Sequence, residues 1–244
     1  MNEIIESLHQ RKSVRAYQDI PINAPEKEAI LLAAMAAPTA GNQQLYTILD
    51  ITEQGIKDKL AVSCDNQPFI AKAPMVLIFC ADFQKWFDAF NEGGCEPRLP
   101  GVGDLMLAVE DSVIAAQNAV TAAESLGIGS CYIGDIMEQY ETHRELLKLP
   151  DYVFPAAMLV FGYPTEQQQA RPKPQRCDLN YIVQENYYHR IPRKDLRAMF
   201  QKNLGQQSYE AWMQAFCNRK HNSDFAKEMT RSVELYLQAF QQET

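Results

Sequence analysis

Apolar positions recur along this chain with two periods, and they divide it into interleaved helices and strands. Residues 2–9 carry apolar side chains at helical spacing and read as a short amphipathic helix. A second helix is expected from Ala24: Asn23 is a natural N-cap, Glu26 stands three residues on, and Pro25 lies in the first turn. The Ala-rich run EAILLAAMAA carries this helix to a loop at Pro38-Thr39-Ala40-Gly41-Asn42. Leu45 to Thr52 alternates and reads as a strand, residues 55–64 read as a helix, and Pro74 to Ala81 is a nearly continuous apolar run typical of a buried strand.

Asp104 to Leu126 predicts a helix of about six turns, stopped by Gly127. Gly129 to Ile136 and Phe154 to Tyr163 are further strands, separated by a helix over Glu141 to Leu149. From Thr165 to Arg176 the composition turns to Gln, Pro, Lys and Arg, predicting a loop, and helices are expected from about residue 194. Helices interleaved with strands imply an α+β fold with a mixed central sheet. The helix at 104–126 shows small apolar residues on too many faces for one sheet layer, so a second copy of the chain is expected against it.

Composition narrows the function classes. Of 244 residues, 46% are hydrophobic and 22% charged, enough to bury a sizeable core. Lys and Arg total 23 against 31 Asp and Glu, so a net charge of −8 argues against a nucleic-acid partner. The cysteines at 64, 80, 95, 131, 177 and 217 show no C-x-x-C spacing, and His9, His143, His189 and His221 stand apart, so no metal site is expected. MNEIIESLHQRKSVRAY places charges where a signal peptide would be apolar, and the run from Leu105 to Leu126 holds Glu110, Asp111 and Glu124. A cytoplasmic chain without a membrane span is the expectation.

Two basic segments stand out in an acidic protein. Arg11-Lys12-Ser13-Val14-Arg15 places three cations and a hydroxyl within five residues, and phosphate is a sensible target for guanidinium forks and hydroxyls. Arg171-Pro172-Lys173-Pro174-Gln175-Arg176 is a second segment, held extended by its prolines. Each alone also reads as solvated surface; together they suit a phosphate clamped from two sides.

The chain resembles the nitroreductase family. RKSVRAY followed by IPI and an Ala-rich helix, PTAGNQQ, DNQPFI, AAQNAVTAAESLGIGSCYIGDI, LLKLPDYVFPAAMLVFGYP and RPKP occur in the family's order over residues 1 to about 190. The likeness is to its NADPH-dependent flavin reductase and nitroreductase branch, which has a long C-terminal extension. It implies a mostly antiparallel sheet flanked by helices, an obligate homodimer, an FMN-binding core over 1–190, and a helical extension over 191–244.

That resemblance also implies roles. Arg11, Lys12 and Ser13 would surround the FMN phosphate, with Arg171 and Lys173 closing from the other side. Arg15 would face the pyrimidine edge, where a fixed cation favours the reduced flavin's negative charge. Gln67 would read that edge, Thr39 and Gln44 would lie in the other flavin-facing loop, and the backbone of Tyr132-Ile133-Gly134 would approach the ring. Asp135 departs from the small residue often found there, and hydrogen bonding within its loop is the expected role. Arg219 and Lys220 are candidates for the NADPH 2′-phosphate, with a solvated helix face as the alternative. No protein nucleophile is assigned. The implied activity is two-step transfer of two electrons from NAD(P)H to a small planar acceptor such as a nitroaromatic, quinone or flavin. A same-fold enzyme for one specific metabolite, or a flavin-binding protein without turnover, stays open.

Overall fold

The computed structural model describes residues 2–241. Met1 of the expected core and residues 242–244 of the expected extension lie outside them. The first helix, α1 (Glu3–Gln10), is capped by Asn2, whose side chain accepts from the Ile5 amide at 3.0 Å. The second, α2 (Ala24–Met35), has the capping box expected at Asn23: its Oδ1 accepts from Glu26 N at 2.9 Å, and Glu26 Oε2 accepts from Asn23 N at 3.0 Å. Then follow β1 (Tyr46–Asp50), α3 (Gln54–Ser63), α4 (Pro68–Lys72), β2 (Met75–Asp82), α5 (Gln84–Glu92) and the long α6 (Val102–Ser125). After β3 (Gly129–Ile133) come α7 (Tyr140–Leu147), β4 (Val153–Gly162), α8 (Glu166–Ala170), α9 (Arg193–Phe200), α10 (Tyr209–Lys220) and α11 (Asp224–Gln238).

Three helices escape the hydrophobic pattern. α4 and α8 are five residues each, too short for a 3.6-residue period to register, and α8 occupies what reads as loop. α5 lies between the buried strand and the long helix, where the sequence suggests no element. β3 also ends earlier than expected, at Ile133, because Gly134–Met137 wind into a 3₁₀ turn.

The four strands form one sheet in the order β1-β2-β4-β3, every neighbouring pair antiparallel. The two central strands are buried along their whole length, which is why both read as apolar runs rather than alternating ones. Their register slips at Phe79/Cys80, opposite Ala157 and Pro155. Pro155 lacks an amide hydrogen, and an irregularity in the ladder is where a central strand tolerates that.

A layer covers each face. On one, Ala115, Ala116, Ala119 and Ala123 of α6 join Ile30 and Ala34 of α2 against Leu77, Phe79, Leu159 and Phe161. Small α6 side chains let the helix axis approach closely, and full burial of a ring such as Phe79 contributes about 1.5–3 kcal/mol. On the other, Ile78, Cys80, Met158 and Val160 meet Leu60, Ile70, Tyr236 and Phe240. Tyr236 packs edge-on to Tyr140 at 4.6 Å and to Phe154 at 5.1 Å between centroids. The far sides of α1 and α6 expose Ile4, Ile5, Leu8, Met106, Leu107, Val113 and Ile114.

The described residues form two compact units, 2–171 with 228–241, and 172–227. In the second, Trp212 stacks on Phe216 at 4.9 Å and lies 5.7 Å from Phe200, and Arg197 pairs with Glu210. No helix among the described residues is long and apolar enough to cross a membrane.

Candidate functional site

The site grows from the segment that leaves α1. Ser13 makes a parallel bridge to Ser130, Val14 N donates to Ser130 O at 2.9 Å, and Gln18 N donates to Tyr163 O at 2.8 Å. The segment is thus laid along β3 and the end of β4 as a partial fifth strand. Two glycines make room for it. A Cβ at Gly129 would stand 2.4 Å from Val14 Cγ2, and one at Gly162 would stand 2.5 Å from Tyr17 Cδ1.

Val14 is buried by this docking, and its neighbours take defined places. Burial pushes the thiol of Cys131 up, while the nearby Arg15, Ser13 and Arg11 partly oppose the rise. Burial likewise pushes Tyr132 up to about 12, with Arg11 opposing. Arg11 Nε is buried without a hydrogen-bond partner among the described residues. A guanidinium N–H left unsatisfied in this way costs free energy that an external acceptor would recover. Lys12 is engaged differently: its ammonium donates to the carbonyls of Gln169 and Arg171, the latter at 2.6 Å. It therefore caps the C-terminal end of α8, where a cation is electrostatically favoured, and holds exposed Arg171 next to the basic loop.

Arg15 continues the rim toward α4, with its guanidinium 5.9 Å from the Phe69 ring centroid. Gln67, at the N-terminal edge of α4, donates from Nε2 to Cys64 O at 2.8 Å and to Asp135 Oδ2 at 3.1 Å. Asp135 is the departing residue, and its carboxylate meets a side-chain amide rather than the loop backbone expected for it. Ile133 beside it is buried, whereas Gly134 is exposed, and a Cβ built on Gly134 would meet no atom within 4 Å. Nothing in the chain's own packing demands glycine there, as a ring lying against the turn would. The docked strand thus carries Arg11, Ser13 and Arg15 beside β3 and on toward Phe69, while Gln67 is tied through Asp135 to the turn that follows Tyr132, Ile133 and Gly134.

Thr39 and Gln44 belong to a second cluster, organised by a residue the sequence reading does not single out. Asp111 lies in the middle of α6, buried; its carboxylate accepts from the Thr39 hydroxyl, from Ala40 N at 3.0 Å and from Leu45 N at 3.0 Å. Thr39 Oγ1 in turn accepts from Gln44 N at 2.7 Å, and Gln44 takes a left-handed φ of 52°. The available signal is a carboxylate on a face otherwise built of alanines.

Behind Gln67 and Asp135 sits a buried polar layer that is equally silent in the sequence. His143 Nδ1–H donates to Ile136 O at 3.0 Å, which leaves Nε2 to accept from Ser63 Oγ at 2.7 Å; burial lowers this imidazole's pKa. Glu138 is buried with Oε1 unpartnered among the described residues, and its pKa is pushed up to about 7, chiefly by burial and then by Asp135, Asp65 and Glu228. No group of three His, Cys, Asp or Glu among the described residues is arranged to hold a metal.

Lys173, Arg219 and Lys220 fall in the second unit. There the Arg219 guanidinium stands 5.4 Å from the Phe216 ring centroid, and the Lys220 ammonium stands 5.3 Å from that of Phe225.

Comparison with known proteins finds relatives of this chain in both sequence and fold. The family model described as "Nitroreductase family" matches residues 8–163. A Bacillus subtilis protein, "FMN reductase (NAD(P)H)", is 30% identical over 238 residues, covering 97% of this chain and 91% of its own. The "Oxygen-insensitive NADPH nitroreductase" of Salmonella typhimurium is 33% identical over 207 residues, covering 84% of this chain and 82% of its own. The solved structure of NfrA2 from B. megaterium superposes with a TM-score of 0.83 at 28% identity and covers all of both chains. This chain belongs to the nitroreductase family.

Proposed function

We infer that this chain is an FMN-dependent oxidoreductase that takes two electrons from NAD(P)H and passes them, in a second half-reaction, to a small planar acceptor. The observation that carries the reading is the buried, unsatisfied Nε of Arg11 beside Ser13 and Arg15 on one docked strand. That is a donor set waiting for a phosphate and a heterocycle edge. When bound, the flavin supplies the hydride-accepting and electron-donating chemistry.

The chain's own residues bind and orient. Arg11 and Ser13 face the phosphate, Lys12 adds its charge while holding Arg171, and Lys173 closes from the far side. Arg15 and Gln67 read the pyrimidine edge, and Tyr132, Ile133 and Gly134 carry the backbone against the ring. Thr39 and Gln44 serve as the second flavin-facing loop, contributed across a homodimer interface. The exposed apolar face of Met106, Leu107, Val113 and Ile114 supports that pairing. Sedimentation at twice the 27.7 kDa chain mass is expected.

We assign the flavin-binding core to 1–190 and nicotinamide recognition to the extension, 191–244, through Arg219 and Lys220. The acceptor is a nitroaromatic, a quinone or a free flavin, and the compartment is the cytoplasm. Titration with FMN and with riboflavin tests the phosphate assignment. Arg11→Ala combined with Lys173→Ala should weaken FMN roughly tenfold or more and leave riboflavin within about twofold. Equal losses for the two flavins would show that these cations do not hold a phosphate.

A further inference from the structure

Gln67 is held by two acceptors at once. Its Nε2 reaches the Cys64 carbonyl at 2.8 Å and the Asp135 carboxylate at 3.1 Å. A primary amide carries two donor hydrogens on nitrogen and only acceptor capacity on oxygen. With acceptors on both sides, the nitrogen must turn toward them, and chemistry fixes which way the amide faces. Oε1 is then the group Gln67 has left to offer, and no hydrogen bond among the described residues consumes it. The half-buried Gln67 is the residue before α4, two positions ahead of Phe69, over which Arg15 lies.

The consequence is a division of labour along one edge. Arg15 offers donors alone, and the locked Gln67 offers an acceptor alone. A heterocyclic imide presents acceptor, donor, acceptor: a ring N–H between two carbonyls. Arg15 suits a carbonyl of that edge, and Gln67 suits the N–H. With the Asp135 carboxylate removed, only Cys64 O holds the amide, and turning it about its last torsion costs one hydrogen bond instead of two.

We propose that Asp135 is a positioning residue that locks Gln67 as the hydrogen-bond acceptor for the imide N–H of the bound flavin. The proposal rests on the reading above, in which Gln67 borders the flavin. In this role Asp135 acts through Gln67 and sets which hydrogen-bonding pattern the rim accepts.

The test compares equilibrium binding, by flavin fluorescence, of FMN and of FMN methylated at the imide nitrogen, which has the same charge but no N–H to donate. The wild type should bind the methylated flavin roughly tenfold or more weakly. Asp135→Ala and Gln67→Ala should each shrink that ratio below about threefold, because a freed or absent amide no longer holds an unsatisfied acceptor against the methyl group. Asp135→Asn, whose Oδ1 still accepts from Gln67, should restore the wild-type ratio and separate the hydrogen bond from the charge. A merely structural Asp135 would weaken both flavins alike, so a wild-type ratio in Asp135→Ala alongside a lost ratio in Gln67→Ala overturns the lock. If Gln67→Ala changes neither the ratio nor FMN affinity, Gln67 does not border the flavin, and the site assignment fails together with the lock.

Discussion

Val14 lies directly over Gly129: no β-carbon fits at 129 while the valine holds its place, because it would stand 2.4 Å from Val14 Cγ2 and 2.8 Å from Val14 Cβ. The same valine donates its amide to Ser130 O, so one residue both packs and hydrogen-bonds the basic segment onto β3. Gly129→Ala should therefore push Arg11, Ser13 and Arg15 off their places, costing about 1–3 kcal/mol of stability and weakening FMN. Adding Val14→Ala should recover part of both losses, since it removes the clashing methyls. Urea unfolding and FMN titration of the single and double variants measure this as a coupling energy of roughly 0.5–3 kcal/mol; strict additivity would show that the contact does not position the segment.

Asp111 latches the loop from Thr39 to Leu45 onto α6 through two backbone amides and a hydroxyl. Asp111→Ala leaves those donors unsatisfied, and a loss of about 2–5 kcal/mol is expected. Chemical denaturation should show it together with faster amide exchange at Ala40 and Leu45. Undiminished protection of those amides would contradict the latch.

Glu138 makes stability depend on pH. Its folded pKa is raised to about 7 by burial and by Asp135, Asp65 and Glu228. A carboxyl with a raised folded pKa contributes stability that is present below its unfolded pKa, near 4.3, and lost as pH rises through about 7. Glu138→Gln cannot ionise, so its advantage over the wild type should grow from near zero at about pH 4 to about 1–2 kcal/mol at about pH 8, allowing for screening at exposed Asp65. In melting temperature this is roughly 2–8 °C. A pH-independent difference between the two proteins would contradict it.

Arg15 is assigned to the ring edge rather than to the phosphate, so its substitution should change redox chemistry more than retention. Arg15→Gln keeps donors but removes the charge that favours the reduced, anionic ring. Loss of about 1.4 kcal/mol lowers a two-electron potential by about 30 mV. Anaerobic redox titration reads this; an unchanged potential with flavin fully bound would remove Arg15 from the edge.

Local physics made much of this fold legible. The capping box at Asn23 and Glu26 lies within four consecutive residues, and the apolar runs of β2 and β4 follow from burial on both faces. The basic cluster and the ordered family segments could be read because each is a contiguous stretch of chain. What stayed hidden is contact between distant residues: Thr39 with Asp111 is 72 positions apart, Gln67 with Asp135 is 68, and Lys12 with Arg171 is 159. Periodicity reports only which face an element buries. It cannot show that an α6 carboxylate secures a loop, or that Lys12 has an α8 terminus to cap.

The central claim, that the rim holds a flavin which NAD(P)H reduces and a second substrate reoxidises, reduces to one anaerobic spectrum. The purified protein, loaded with FMN and freed of excess, is mixed with NADPH under argon and then with a quinone. The account predicts that the bound flavin's visible absorption bleaches on NADPH addition and returns on quinone addition, with one equivalent of NADPH consumed per flavin. Stoichiometrically bound flavin that keeps its absorption with either NADPH or NADH would contradict it.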